Sequence, residues 1–161
     1  MKKSIIGGML CAAAILPGMV AHAANPGSAV LAPTILTRGA IAHAFTAPHR
    51  RGHTAQAIAS PDTFRYWAVT RRTPGSVEVH RDWVDVTYVR AGSARLETGT
   101  TVRGDWKTGK GEWRGGHIVR PHVRILRAGD MVVIPAGLAH RIVPLHGKAF
   151  EYVTIKVPAQ G

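Results

Sequence analysis

The chain has 161 residues, 21 of them lysine or arginine against 9 acidic, a formal net charge of +12 and a single cysteine. That cysteine, Cys11, lies in an apolar N-terminal stretch, so the rest of the chain holds no disulfide, thiolate zinc site or thiol nucleophile. The length suits one domain with a real core. The arginines are scattered, with no basic run longer than two, which reads as a cationic solvated surface rather than a nucleic-acid interface.

In chain order, Lys2 and Lys3 precede an apolar stretch from Ile5 to Val20 that ends at Ala21-His22-Ala23. A basic start, a short apolar run and an A-x-A site together read as a secretory signal peptide, cleaved after Ala23. Gly7, Gly8, Pro17 and Gly18 interrupt the run and disfavour a membrane span. Gly8-Met9-Leu10 ahead of Cys11 does not fit a lipoprotein site. The expectation is a leader over 1–23 and a periplasmic or secreted mature protein with no integral membrane anchor. Export also removes nucleic acid as a natural partner.

Residues 24–61 are rich in Ala, Pro, Gly and Thr with no sustained period. They are expected to form an N-terminal arm, with a short helix over "GHTAQAIAS", residues 52–60, ended by Ser60-Pro61. From Asp62 the pattern changes to short runs rich in Val, Ile, Thr, Tyr and Trp, punctuated by Gly and Pro. Strands are predicted over 64–72, 76–80, 84–90, 93–99, 122–127, 130–134, 139–144 and 149–157, an all-β sandwich or barrel. "DVTYVRAGSARLETG" reads as a hairpin turning at Ala91-Gly92-Ser93. Residues 104–121 are glycine-rich and read as a long loop carrying Trp106 and Trp113, candidates for a lid over the barrel mouth.

The chemistry concentrates in two stretches. "GDMVVIPAGLAH", residues 129–140, places Gly129, Pro135, Gly137 and His140 at the spacings of the second cupin signature, which it resembles at every defining position. Pro144 stands where asparagine is usual. "EVHRDWVDVTYVRAG", residues 78–92, resembles the first signature, with Glu78 for its first histidine, His80 for its second, Asp85 for its glutamate and Gly92 at its glycine. The resemblance covers about 62–158. It implies a single cupin β-barrel (a double-stranded β-helix, or jelly roll) with an N-terminal arm and short helix. It also implies pairing through outer strands and arm, hence a homodimer.

Beside the resemblance stands a physical reading. Glu78 and His80 are two apart and share one face of a strand. His140 arrives from a distant segment just after a turn whose Pro and Gly can fix its direction. Imidazole nitrogens and carboxylate oxygens together suit a divalent transition metal: Fe, Mn, Ni, Zn or Cu. Each residue also has a bland alternative: hydrogen-bonded core histidines for His80 and His140, a turn cap for Asp85. Asp is a methylene shorter than Glu, so its reach is open. Trp83, Tyr88 and Tyr152 read first as residues that fill or cover the sandwich. Trp83, Trp113 and His122 are nonetheless candidates for contact with a small ligand, and His117 flanks the same glycine-rich stretch.

Two functions follow. The first is a metal-dependent cupin acting on a small molecule in the barrel, of dioxygenase, isomerase or lyase type, with no catalytic residue assigned. The second is a non-catalytic cupin that holds a metal or small ligand. A structural envelope protein held by charge is a third, which the two signatures leave unexplained.

Overall fold

A computed structural model of the chain describes residues 35–46, 53–59 and 64–159. The expected signal peptide, 1–23, and the first part of the arm lie outside the described residues. In chain order the elements are a helix α1 (Arg38–Ala44) and the strands β1 (His53–Ala59), β2 (Arg65–Arg71), β3 (Glu78–His80), β4 (Trp83–Ala91) and β5 (Ser93–Gly99). There follow β6 (Val102–Gly109), β7 (Glu112–Ile118), β8 (His122–Arg127), β9 (Met131–Ile134), β10 (Ala139–Pro144) and β11 (Phe150–Pro158). They form two antiparallel sheets, one of five strands in the order β1-β2-β11-β4-β9 and one of six in the order β6-β7-β3-β10-β5-β8.

The alternation in the sequence decides which side chains face inward. Along β4, Asp85, Thr87 and Val89 are buried while Tyr88 and Arg90 are exposed, the period of two that a half-buried strand requires. Val69, Val89, Ala94, Leu96, Leu126, Ile134, Ile142, Phe150 and Tyr152 meet between the sheets as the core. Phe150 at its centre is fully buried.

Three sequence expectations are corrected. The stretch expected as a helix, 52–60, is the edge strand β1 along His53–Ala59, paired with β2 from His53↔Arg71 to Ala59↔Tyr66. The segment HTAQAIA holds good helix formers but is only seven residues long, too short to sustain a helix alone, and an open sheet edge supplies the hydrogen bonds that decide its state. The helix lies upstream, where the Thr37 hydroxyl caps it by accepting from the Ala40 N–H at 3.1 Å.

The hairpin expected at Ala91-Gly92-Ser93 is a corner between sheets: β4 pairs with β11 and β9, whereas β5 pairs with β10 and β8. Gly92 makes that corner in the left-handed region, φ +80°, and a Cβ there would lie 2.3 Å from the Ala149 carbonyl oxygen. Only glycine fits on both counts.

The glycine-rich loop expected over 104–121 is mostly the hairpin β6–β7, turning at Lys110-Gly111 with Gly111 at φ +69°. Its glycines misled the reading because one of them makes room for an aromatic ring. A Cβ on Gly115 would fall 1.8 Å from a Trp106 ring carbon, so the Trp106 ring packs against β7 at Gly115. Trp106 therefore covers a strand rather than a mouth, and it remains 59% exposed.

Candidate metal centre

The inner end of the six-stranded sheet brings together what the sequence kept apart. β3 runs between β7 and β10, so Glu78 has His140 opposite it on one side and Arg114 on the other. His80, two residues on, faces the same way and has Glu112 as its register partner. The tight turn Pro135-Ala136-Gly137 is held by a hydrogen bond from the Leu138 N–H to the Pro135 carbonyl at 3.2 Å, and by one from the Gly137 N–H to the His80 carbonyl at 2.8 Å. The turn that delivers His140 is thus tied directly to the strand that delivers His80. Asp85 enters from β4, on the five-stranded sheet.

One ligand atom from each of Glu78, His80 and His140 lies within 4.8 Å of the others. The His80 Nε2 is 3.3 Å from Glu78 Oε2 and 3.5 Å from Asp85 Oδ2. The His140 Nε2 is 3.6 Å from the same Asp85 oxygen. Two donor atoms each ~2.1 Å from one ion stand roughly 3.0–3.4 Å apart at octahedral to tetrahedral angles, so the first separation matches a shared divalent cation and the two to Asp85 lie just beyond that span. Asp85 reaches both imidazoles despite its shorter side chain.

The hydrogen bonds behind the histidines fix which nitrogen is presented. The His80 Nδ1–H points at the Glu112 carboxylate, 2.5 Å away. The His140 Nδ1–H donates to the Leu138 carbonyl at 3.1 Å. Each ring therefore turns an Nε2 lone pair inward, the arrangement in which metal-ligating histidines are oriented by a carboxylate or carbonyl behind them. The His80 Nε2 is buried with no hydrogen-bond partner among the described residues. A buried polar atom without a partner is costly, and a cation at this point would supply one. The residues present therefore fit a divalent metal.

The electrostatics agree. Burial opposes the ionised Glu78 carboxyl, but the His80 imidazole and the Arg114 guanidinium more than reverse that and take its pKa down to about 2. Burial likewise opposes a charge on His80, yet Glu78, Asp85 and Glu112 together raise its pKa above 6.5. His140 goes the other way, because burial outweighs the attraction of Asp85 and keeps its ring neutral. The carboxylates that favour a proton on His80 equally favour a metal ion beside it, since both are cations.

These groups line a cavity of about 350 Å³ between the sheets, within the range of small-molecule sites. Of the residues expected to contact a ligand, Trp83, Trp113 and His122 are not in its lining. Trp83 instead carries the Arg65 guanidinium 4.5 Å from its ring centroid, and Trp113 pairs with Val79 across β7 and β3. His122 is exposed at the start of β8. Sequence reasoning missed Glu112, Arg114, Arg71 and Lys156, which do line it, and took Tyr152, which also does, as packing. Lys156 holds Asp85 Oδ1 at 2.7 Å, and Arg114 holds Glu78 Oε1 at 2.6 Å. The signal was present in the alternation Tyr152, Thr154, Lys156 along β11. For Glu112 and Arg114 it was hidden by the glycines around them.

No protein-family model matches the sequence, and no curated protein matches it. Solved structures do. A Klebsiella pneumoniae protein described as having a double-stranded β-helix domain is 17% identical with a TM-score of 0.51, over 69% of this chain and 81% of that one. KdgF from a Halomonas species is 18% identical with a TM-score of 0.50, over 70% and 86%. A mutant of Bacillus subtilis oxalate decarboxylase is 18% identical with a TM-score of 0.50, over 69% of this chain but only 26% of that one. Its two sheets and these likenesses show the fold that the two sequence signatures led one to expect: the chain is a double-stranded β-helix.

Proposed function

We propose that the chain is an exported cupin that binds a divalent transition metal through His80, His140 and Glu78, with Asp85 beside them, and acts on a small molecule in the barrel cavity. One observation carries the reading: the buried His80 Nε2 has no hydrogen-bond partner among the described residues, yet it faces two carboxylates and a second imidazole. A metal there would supply Lewis acidity toward a bound oxygen donor. The chain's own contribution is to hold both histidines in the Nε2-facing tautomer, to keep Glu78 ionised and to enclose the ligand between two sheets.

Metal analysis of protein purified from its native compartment, without added metal, tests this. Stoichiometric Fe, Mn, Ni, Zn or Cu, lost in both His80→Ala and His140→Ala, is expected. A folded wild type that carries no metal and takes none up would remove the reading. Export is checked by the mature N-terminus, expected near Ala24. Retention of residues 1–23 contradicts it.

A second reading, a binding cupin without turnover, is favoured by the pairing of the cavity's carboxylates. Glu78 is engaged by Arg114, Asp85 by Lys156 and Glu112 by His80, so each of these carboxylates already has a structural partner. Metal uptake with no turnover across a panel of phenols, keto acids and sugars selects it.

A further inference from the structure

Two cations of the cavity lining, Arg65 and Arg71, have no carboxylate partner among the described residues, and Arg65 is taken up by the Trp83 ring. Arg71, at the end of β2, lines the cavity, and its Nε is buried with no hydrogen-bond partner among the described residues. Among the described residues no carboxylate forms an ion pair with it, whereas the three cavity carboxylates each have a basic partner of their own. Its guanidinium lies beside the Tyr152 hydroxyl, a phenol that burial keeps protonated and therefore able to donate. A cavity-lining guanidinium with no carboxylate partner among the described residues, next to a buried hydroxyl, is a two-point receptor for a planar anion.

The contacts of Arg71 also measure how far this receptor stands from the histidines. Arg71 begins on the five-stranded sheet but crosses to Gly75, where a Cβ would lie 2.6 Å from its Nη1. Gly75 is in turn bonded to β10, its N–H donating to the Ile142 carbonyl at 2.9 Å. Ile142 follows His140 by two residues on the same face of β10, a separation of roughly 7 Å along a strand. A small organic acid spans that gap.

We propose that Arg71, with Tyr152, anchors the carboxylate of a small organic acid whose remaining oxygen donors face His80 and His140. The second half of this statement rests on the metal-site reading. The first half, the anion anchor, does not. Gly75 is part of the device, because the absence of a side chain there gives the guanidinium its place.

Succinate and its neutral analogue succinamide separate charge recognition from shape. Their dissociation constants are measured by isothermal titration calorimetry on the full chain, chelator-treated and Mn(II)-loaded. The wild type is expected to bind succinate and to bind succinamide far more weakly. Arg71→Met should weaken succinate binding tenfold to hundredfold, the usual worth of a charged hydrogen-bonded contact. Arg71→Lys, which keeps the charge but loses the fork, should fall between. Gly75→Ala keeps Arg71 and displaces chiefly its guanidinium, the new Cβ also standing 3.3 Å from the Ile142 carbonyl oxygen, so it decides the matter if Arg71→Met does not fold, and it too should weaken succinate binding at least tenfold. Mn(II) uptake should be unchanged in all three variants.

Succinate binding no tighter than succinamide binding, or a folded Arg71→Met that binds succinate as the wild type does, overturns the proposal. If the wild type takes up no Mn(II) but binds succinate through Arg71, the metal reading falls and the anion anchor stands.

Discussion

Replacing Glu112 by alanine should weaken metal binding without touching any of the four residues grouped around the site. Glu112 accepts the His80 Nδ1–H at 2.5 Å, which fixes the tautomer that turns Nε2 inward and places a negative charge behind the ring. Loss of such an outer partner commonly costs ten- to hundredfold in metal affinity, about 1.4–2.7 kcal/mol. The Glu112 side chain is 26% exposed and His80 only 3%, so solvent screens part of the charge term and the orienting hydrogen bond carries most of the effect. Two variants separate the contributions. Glu112→Gln keeps an acceptor for Nδ1–H and loses the charge, with an expected loss of about tenfold or less. Glu112→Ala loses both, with an expected loss toward the upper end of that range. Competition against a fluorescent chelator for Zn(II) gives the affinities, and thermal melting of the metal-free proteins checks the fold. A folded Glu112→Ala that binds Zn(II) within twofold of wild type would refute the reasoning, because His80 would then need no orienting partner.

Three further outcomes are expected. Metal affinity should fall as pH drops: the folded pKa of His80 is raised above 6.5, so proton competition begins above that value, and the chelator assay repeated from about pH 8 to about pH 6 should show it. An affinity flat across that range contradicts the assignment of His80. Phe150 is fully buried in the core, and Phe150→Ala should cost roughly 3–5 kcal/mol in urea unfolding. A loss under about 1 kcal/mol would mean the two sheets do not close on it. Gly92→Ala puts a Cβ 2.3 Å from the Ala149 carbonyl in a left-handed backbone, so a clear fall in melting temperature is expected, and a stable variant would show that the corner is not where the sheets part.

Strands and two histidines were legible because period-two burial and the Pro-Gly turn before His140 are local signals. What lay outside local reach was partnership. "DVTYVRAGSARLETG" contains two good strands and a turn residue, but nothing in it says whether the strands pair with each other or join different sheets. The partner that β4 takes instead is β11, which starts close to sixty residues downstream. The same holds for "GHTAQAIAS", whose state depends on β2 offering a free edge. The candidate ligands were readable as spacing, while Glu112, Lys156 and Arg71 were not, because each matters through a contact that only the folded barrel makes. Trp113 lies in register with Val79 on β3 and outside the cavity lining, a placement set by the β6–β7 hairpin that the glycines concealed.

The four grouped residues do not come from one sheet. Glu78, His80 and His140 belong to the six-stranded sheet and Asp85 to the five-stranded one. An ion shared among them is therefore a rivet through the sandwich, joining segments that the covalent chain connects only by corners such as Gly92. Sheets that part lose the site, and a site that fills resists their parting by RT ln(1 + [M]/Kd). Occupancy then registers as a melting temperature that climbs with free metal, even with no substrate in hand.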